Sequence, residues 1–147
     1  MNSETTGYVI AAIPITLIEP LWHKFEPLVQ LVVEVAHGEI TTAGVKRRAL
    51  IGETLIVAVC KGTEIIAVNI LDIMEFDSGL RALYIPVVGG TEMDMWLDQF
   101  FLVAKAIARD FNCTELRGLA SRKGWMRRLK NMGWTDITTV IKCDVGE

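Results

Sequence analysis

The sequence ELRGLASRKGWMRRLKNMGW, residues 115–134, decides how the fold of this chain is interpreted. Its pattern predicts a strand over residues 113–119 and a helix over residues 122–132, with Ser121 as the helix cap. A Gly-aromatic pair follows, and residues 134–145 read as a final strand. Strand, helix and strand in succession indicate a mixed α/β domain.

The same stretch is the most basic part of the chain. From Arg117 to Lys130 it contains six basic residues and no acidic one. The whole chain carries a net charge of −3, so the remaining residues together carry −9. A basic patch on an acidic protein suggests an anionic partner, or pairing between acidic and basic surfaces of different copies.

Upstream, the clearest element is a helix that begins at Met93. Its apolar residues recur at helical spacing as far as Phe111, which predicts a helix packed on a sheet. Thr91 to Asp94 reads as a capping sequence, and Asn112 ends the helix.

The remaining segments complete a β-α-α-β-β-β-α-β-α-β order. This order predicts an α/β (α+β) fold in which a mixed sheet is flanked by helices, and we expect residues 1–147 to form one domain. The first helix starts at Glu19-Pro20, restarts or kinks at Pro27 and ends at His37-Gly38, and the second ends at residue 51. The predicted strands outside the opening stretch cover residues 8–16, 54–60, 64–76 and 80–88.

Composition excludes several classes of protein. No signal peptide is visible and charged residues interrupt the longest apolar runs, so we expect a cytoplasmic protein without a membrane span. The mean hydropathy of +0.35 suggests either very complete burial or self-association. Cys60, Cys113 and Cys143 are expected to be free thiols, and no metal site is expected.

The order of elements and four short motifs resemble the GNAT family, the Gcn5-related N-acetyltransferases. Within that family the pattern is similar to acetyltransferase-like proteins encoded by bacteriophages, which implies a protein of the host cytoplasm or of the virion. The motifs are Glu115-Leu116-Arg117-Gly118, Gly124-Trp125, Leu129 and Gly133-Trp134.

The resemblance implies a place for acetyl-CoA between the strand that ends near residue 88 and the long helix. Gly89, Gly90 and the amide of Thr91 would face the pyrophosphate there. No basic residue precedes them, and Glu92 and Asp94 follow. Each carboxylate at ~5 Å from a phosphate would cost roughly 3 kcal/mol at an effective dielectric of about 20. The expected cofactor is therefore none, with acetyl-CoA as the alternative.

The general acid that the resemblance implies is also absent. Many GNAT enzymes carry a tyrosine four residues before the final Gly-aromatic pair, and this chain has Leu129, which has no proton to donate. The two tyrosines lie in predicted strands. The carboxylates that a base could come from are Glu64, Asp72 and Glu75, and the sequence does not choose among them.

The basic stretch divides into two faces of the predicted helix. Trp125, Met126 and Leu129 form an apolar face directed to the core. Arg122 and Lys123 lie at the helix start, where cations are unfavourable unless an anion offsets them. The candidate partner-contact residues are Arg122, Lys123, Arg127 and Lys130.

Three functions follow. The first is a non-catalytic acetyltransferase-like domain that acts through protein contacts or self-association, as a virion-associated or internal virion component. The second is an active N-acyltransferase that uses acetyl-CoA. The third is an accessory protein that contacts nucleic acid through the basic residues, although the pI of 5.4 is low for a nucleic-acid binder.

Overall fold

The computed structural model describes residues 7–120 and 123–146, which form a sheet with helices on both faces. The predicted order of elements is confirmed as far as the last helix. In chain order the elements are β1 (Tyr8–Ala12), α1 (Ile15–Glu34), α2 (Thr42–Leu50), β2 (Thr54–Lys61), β3 (Glu64–Glu75), β4 (Arg81–Ile85), α3 (Met93–Asp110), β5 (Glu115–Gly118) and α4 (Lys123–Asn131).

The strands lie in the sheet in the order in which they occur in the chain. β1 to β4 pair antiparallel, whereas β4 and β5 run parallel. β4 stays beside β3 only as far as Tyr84, which lies opposite Asp72, and beside β5 only as far as Ile85, opposite Gly118. β4 ends at Ile85, so neither ladder continues beyond these pairs.

The hydrophobic core consists of two clusters, one on each face of the sheet. α3 and α4 cover one face, and α1 and α2 cover the other. The apolar stripe predicted for α3 is confirmed, since most of its members are buried. Burying one such large side chain contributes about 1.5–3 kcal/mol, so this helix is a major source of stability. Its buried stripe consists of Trp96, Leu97, Phe100, Phe101, Ala104, Ile107 and Ala108.

The predicted start of the first helix is corrected. α1 begins at Ile15, directly after Pro14, and continues through Pro20 and Pro27. Each interior proline removes one helical hydrogen bond. The helix continues because its buried stripe packs on the sheet across both prolines: Ile18, Trp22, Phe25, Val29 and Val32.

The predicted final strand is wrong. Residues 135–146 contain no strand, and all twelve are exposed. A strand needs a partner for its backbone groups, and no described strand lies beside this segment. β5 therefore forms an edge of the sheet within the described residues.

The predicted capping sequence of the long helix is corrected as well. The residue that caps α3 is Glu92, in the left-handed conformation with φ 60°, and its side chain does not bond the helix amides. The predicted stop at Asn112 is confirmed by its φ of 60°. Ser121, the predicted cap of the last helix, lies outside the described residues.

Candidate functional site

A cavity of about 450 Å³ lies at the carboxyl end of β4. It is lined by the loop of residues 86–91 and by residues 66–68 of β3, which lie beyond the part of β3 that pairs with β4. The second half of α1, with Leu28, Leu31 and Val35, closes one side. Leu119 and Trp125 contribute from the segment after β5 and from α4. The walls are therefore mainly aliphatic, which suits an elongated apolar ligand.

The loop of residues 86–91 is held in place by its own contacts. The Gly89 amide donates a hydrogen bond of 3.2 Å to Oδ1 of the buried Asn69. Gly90 has φ +135°, and a Cβ added to it would lie 2.4 Å from the Cβ of Ala67. The indole Nε1 of Trp96 donates to the carbonyl of Thr91 at 2.8 Å. The predicted trio Gly89, Gly90 and Thr91 thus lines the cavity in a conformation that the fold itself fixes.

The two carboxylates expected to repel a phosphate are both paired. Oε1 of Glu92 accepts hydrogen bonds from the Tyr8 hydroxyl at 2.7 Å and from Lys61 Nζ at 2.8 Å. Asp94 accepts a hydrogen bond from Arg128. Because each charge has a cation beside it, the predicted repulsion is smaller than for isolated carboxylates.

The pairing of Glu92 shifts the pKa values of the three groups involved. The Lys61 hydrogen bond, followed by that of Tyr8, holds the pKa of the Glu92 carboxyl below its usual value. In return, the hydrogen bond to Glu92 raises the pKa of Lys61 and of Tyr8. The three groups therefore favour a single arrangement of charges around neutral pH.

Solved structures with this architecture are acetyltransferases. The chain superposes on an aminoglycoside acetyltransferase from an uncultured soil metagenomic sample, in complex with sisomicin, with a TM-score of 0.71, 9% identity and 99% of both chains covered. A ribosomal-protein-alanine N-acetyltransferase from Brucella melitensis biovar Abortus 2308 gives a TM-score of 0.65, 12% identity and coverage of 95% of this chain and 99% of that chain. The chain has the GNAT fold.

One further neighbour bears on ligands. A predicted acetyltransferase with acetyl-CoA from Clostridium acetobutylicum gives a TM-score of 0.63 with 16% identity, over 94% of this chain and 96% of that chain. Neither a protein-family model nor a curated protein sequence matches this chain. At these identities the structural likeness shows the fold alone.

The lining of the cavity is better suited to one part of acetyl-CoA than to the other. Its aliphatic walls suit the uncharged pantetheine arm and a short acyl group. The phosphates usually require cations or free backbone amides. None of the described cavity residues is lysine or arginine, and the Gly89 amide is already bonded to Asn69.

The position at which many GNAT enzymes carry their general acid is part of the core here. Leu129 is 6% exposed and packs in the cluster that contains α3. Glu64, Asp72 and Glu75 do not line the cavity. Asp72 accepts a hydrogen bond from Thr54, and Glu75 is paired with Arg81 at 3.4 Å.

Two ionisable residues that sequence reasoning did not assign to a site do line the cavity. His37 and Glu39 lie in the turn after α1, where His37 has φ 56°. Glu39 also influences Tyr84: burial raises the pKa of the Tyr84 hydroxyl first, and the Glu39 and Asp72 charges raise it further. The signal in the sequence was a histidine and a glutamate around Gly38 directly after a helix.

The basic stretch is largely compensated by acids that are distant in sequence. Arg117 is bonded to Glu115 at 3.1 Å and stacks on Phe76 at 4.8 Å, while Arg128 is paired with Asp94. The full contact set predicted for a partner stays a prediction. Lys130 lies 3.7 Å from Asp136, Arg127 is exposed without an ion pair in the described part of the chain, and Arg122 and the side chain of Lys123 lie outside it.

Two absences are limited to the described ranges, 7–120 and 123–146. They contain no group of three or more side chains that could hold a metal ion. No helix within them is both long and apolar enough to cross a membrane. The three predicted free thiols, Cys60, Cys113 and Cys143, are unpaired in the structure.

Proposed function

We propose that the cavity binds the acyl-pantetheine end of an acyl thioester and recognises it through apolar contact. The observation that carries the proposal is the aliphatic cavity at the carboxyl end of β4, which the loop of residues 86–91 helps to line. Van der Waals contact and removal of apolar area from water would supply the affinity. The phosphate end of a CoA molecule would then extend into solvent and contribute little.

Catalysis is a separate question from binding. Leu129 supplies no proton to a departing thiolate, which favours a protein that holds an acyl group without a dedicated acid. The alternative is an active N-acyltransferase, and one observation favours it: His37 and Glu39 line the cavity, and either could accept a proton from an amine.

Calorimetric titration with two ligands tests the binding proposal. Acetyl-CoA and S-acetylpantetheine share the apolar arm, and only the first carries the phosphates. We expect their dissociation constants to agree within about threefold. A much tighter affinity for acetyl-CoA would contradict recognition through the arm, and absence of binding by both ligands would overturn the proposal.

A matched pair of variants places the binding site. Val35 and Ile51 are both residues that end helices and are 51% and 64% exposed, but only Val35 lines the cavity. Val35→Trp should fill part of the cavity and weaken binding of S-acetylpantetheine at least about tenfold. Ile51→Trp should leave the affinity unchanged, and equal effects of the two variants would place the ligand elsewhere.

Release of free thiol from acetyl-CoA in the presence of amines distinguishes binding from transfer. An active enzyme would release thiol at a rate that falls when Glu39→Gln or His37→Gln is introduced. A rate equal to that without protein, together with retained binding, would support a non-catalytic protein.

The virion-associated role rests on the resemblance of residues 115–134 to phage proteins and is a proposal on that ground alone. A protein with that role would act through contacts with other chains, in the host cytoplasm or in the virion. A nucleic-acid role is a weaker proposal, because Arg117, Arg128 and Lys130 each have an acidic neighbour.

A further inference from the structure

The segment after the last helix has the pattern of a strand that is buried on one face. From Ile137 the odd-numbered residues are Ile, Thr, Ile, Cys and Val, and the even-numbered residues are Thr, Val, Lys and Asp. Side chains alternate between the faces of a strand, so the odd positions would form one mainly apolar face. Such alternation is typical of a strand at the side of a sheet with one face on a core.

The structure leaves this apolar face uncovered. Ile137 is 67% exposed, Ile141 is 86% exposed and Val145 is fully exposed. The ion pairs of the segment are local, from Lys130 to Asp136 and from Lys142 to Asp144. The segment therefore runs clear of the described part of its own domain.

A place for such a strand exists beside β5. β5 pairs with β4 on one side, and no described strand lies on the other. Trp134, the last residue before the segment, packs on Phe101 with ring centroids 5.2 Å apart and lies near Gly118 at the end of β5. The edge of β5 thus presents unpaired backbone groups.

An apolar groove lies next to that edge. It has a volume of about 300 Å³ and is lined by Phe101, Leu102, Met132 and Trp134, with Asp98 and Lys105 at its margin. Leu102 is 67% exposed although it belongs to α3. A strand added to β5 with its apolar face on the α3 side would cover this surface.

We propose that residues 137–145 of one copy add as a strand to the β5 edge of a second copy, and that the exchange is reciprocal. Each copy carries one uncovered apolar segment and one β5 edge without a described neighbour. In a two-fold symmetric dimer each segment pairs with the β5 edge of the other copy, so no edge is left over to extend the assembly. This accounts for the exposed apolar residues of the segment and the exposed Leu102 together. The partner is therefore a second copy of this chain.

Mass in solution tests the exchange. Size-exclusion chromatography with light scattering should give twice the mass of one chain for the full protein at micromolar concentration. A chain that ends after Trp134 should give the mass of one chain with an unchanged helical circular dichroism spectrum. A full chain that stays monomeric at all concentrations would overturn the proposal, whether or not its own segment folds back on β5.

Two adjacent substitutions supply a matched control. Ile141 and Val140 are 86% and 70% exposed and lie on opposite faces of the segment. Ile141→Lys should raise the dimer dissociation constant at least about tenfold, and Val140→Lys should change it less than about threefold. Equal effects of the two variants, or none from either, would show that this segment does not form the interface with the predicted face.

Hydrogen exchange adds a measurement that does not depend on the charge introduced by the lysine substitutions. The amides of residues 137–145 and of β5 should gain protection together as the protein concentration rises. Protection that is independent of concentration would indicate that the strand folds back on its own copy, and it would contradict exchange between copies.

Discussion

Gly90 fixes the position of the loop that forms one wall of the cavity. Its φ of +135° is unfavourable for other residues, and the space where a Cβ would lie is occupied by Ala67 of β3. The neighbouring Gly89 differs, because a Cβ there would meet no atom within 4 Å. The fold therefore requires glycine at position 90, whereas there is space for a larger side chain at position 89.

This difference predicts different effects of alanine at the two positions. Gly90→Ala should lower the free energy of unfolding by about 3 kcal/mol, since it adds both a clash and backbone strain. Gly89→Ala should change it by less than about 1 kcal/mol. Urea denaturation of both variants measures the difference, and equal losses would contradict the packing described for Gly90.

A second substitution checks the cause. Ala67→Gly removes the atom that Gly90→Ala would strike, so the double variant should be more stable than the sum of the single effects predicts, by about 1 kcal/mol or more. Additive effects would mean that strain at φ +135° alone accounts for the loss.

At the level of elements, α4 ends in a turn that depends on Gly133. Gly133 has φ +92°, its amide donates to Lys130 at 3.2 Å, and the Trp134 amide donates to Leu129 at 3.0 Å. This is the bonding of a Schellman motif, which places Trp134 against α3. Gly133 therefore ends the last helix.

Gly133→Val should lower the free energy of unfolding by about 2 kcal/mol, because a β-branched residue tolerates this backbone conformation poorly. The space around Gly133 is open, so the cost comes from the backbone and not from a clash. Gly133→Asn serves as the control and should cost less, since asparagine adopts positive φ more readily. Thermal unfolding of the two variants measures this, and equal melting temperatures for Val and Asn would contradict it.

The elements that the sequence predicted well are those whose signals are local. The stripe of α3 and the stop at Asn112 each depend on residues close together in the chain. α1 could not be delimited in this way, because packing on the sheet outweighs Pro20 and Pro27. The final strand failed for a related reason, since alternation shows what a segment favours and not whether a partner lies beside it.

The candidate site was predictable only in part. The resemblance pointed to Gly89, Gly90 and Thr91, which line the cavity. The apolar face of the predicted helix placed Leu129 in the core, where the structure has it. Glu92 was assigned a repulsive role because its partner, Lys61, lies 31 residues away in the chain. His37 and Glu39 were missed because no local pattern shows that the end of α1 lies opposite the loop after β4.

Across the whole molecule, Glu92 connects parts that are far apart in sequence. Its carboxylate joins Tyr8 of β1 and Lys61 of β2 to the first turn of α3. The lowered pKa of Glu92 means that its contribution to stability is complete above its unfolded value of about 4.3 and is lost as the pH falls through the folded value. The raised pKa values of Lys61 and Tyr8 set the upper end of this pH range. Their contribution to stability is lost as the pH rises through their folded pKa values, above about 10.

Glu92→Gln should therefore lower the melting temperature at pH 7, and this difference should shrink as the pH falls below about 4 and the wild-type carboxyl becomes protonated. The effect should also shrink above pH 11. Glu75→Gln is the control, because it removes a different exposed carboxylate, one that is paired with Arg81. It tests whether this pH dependence is specific to Glu92. A loss in the Glu92 variant that is the same at pH 3 and pH 7 would contradict the charge pairing.

The sequential order of strands in the sheet also determines how the protein folds as it is synthesised. Each strand from β2 onward pairs with one that has already left the ribosome, and the longest interval separates β1 from β2, because α1 and α2 lie between them. Domains that fold during translation can therefore build this sheet from its amino-terminal side. β5 is the last strand to join, so a nascent chain presents its unpaired edge only when the rest of its sheet is complete.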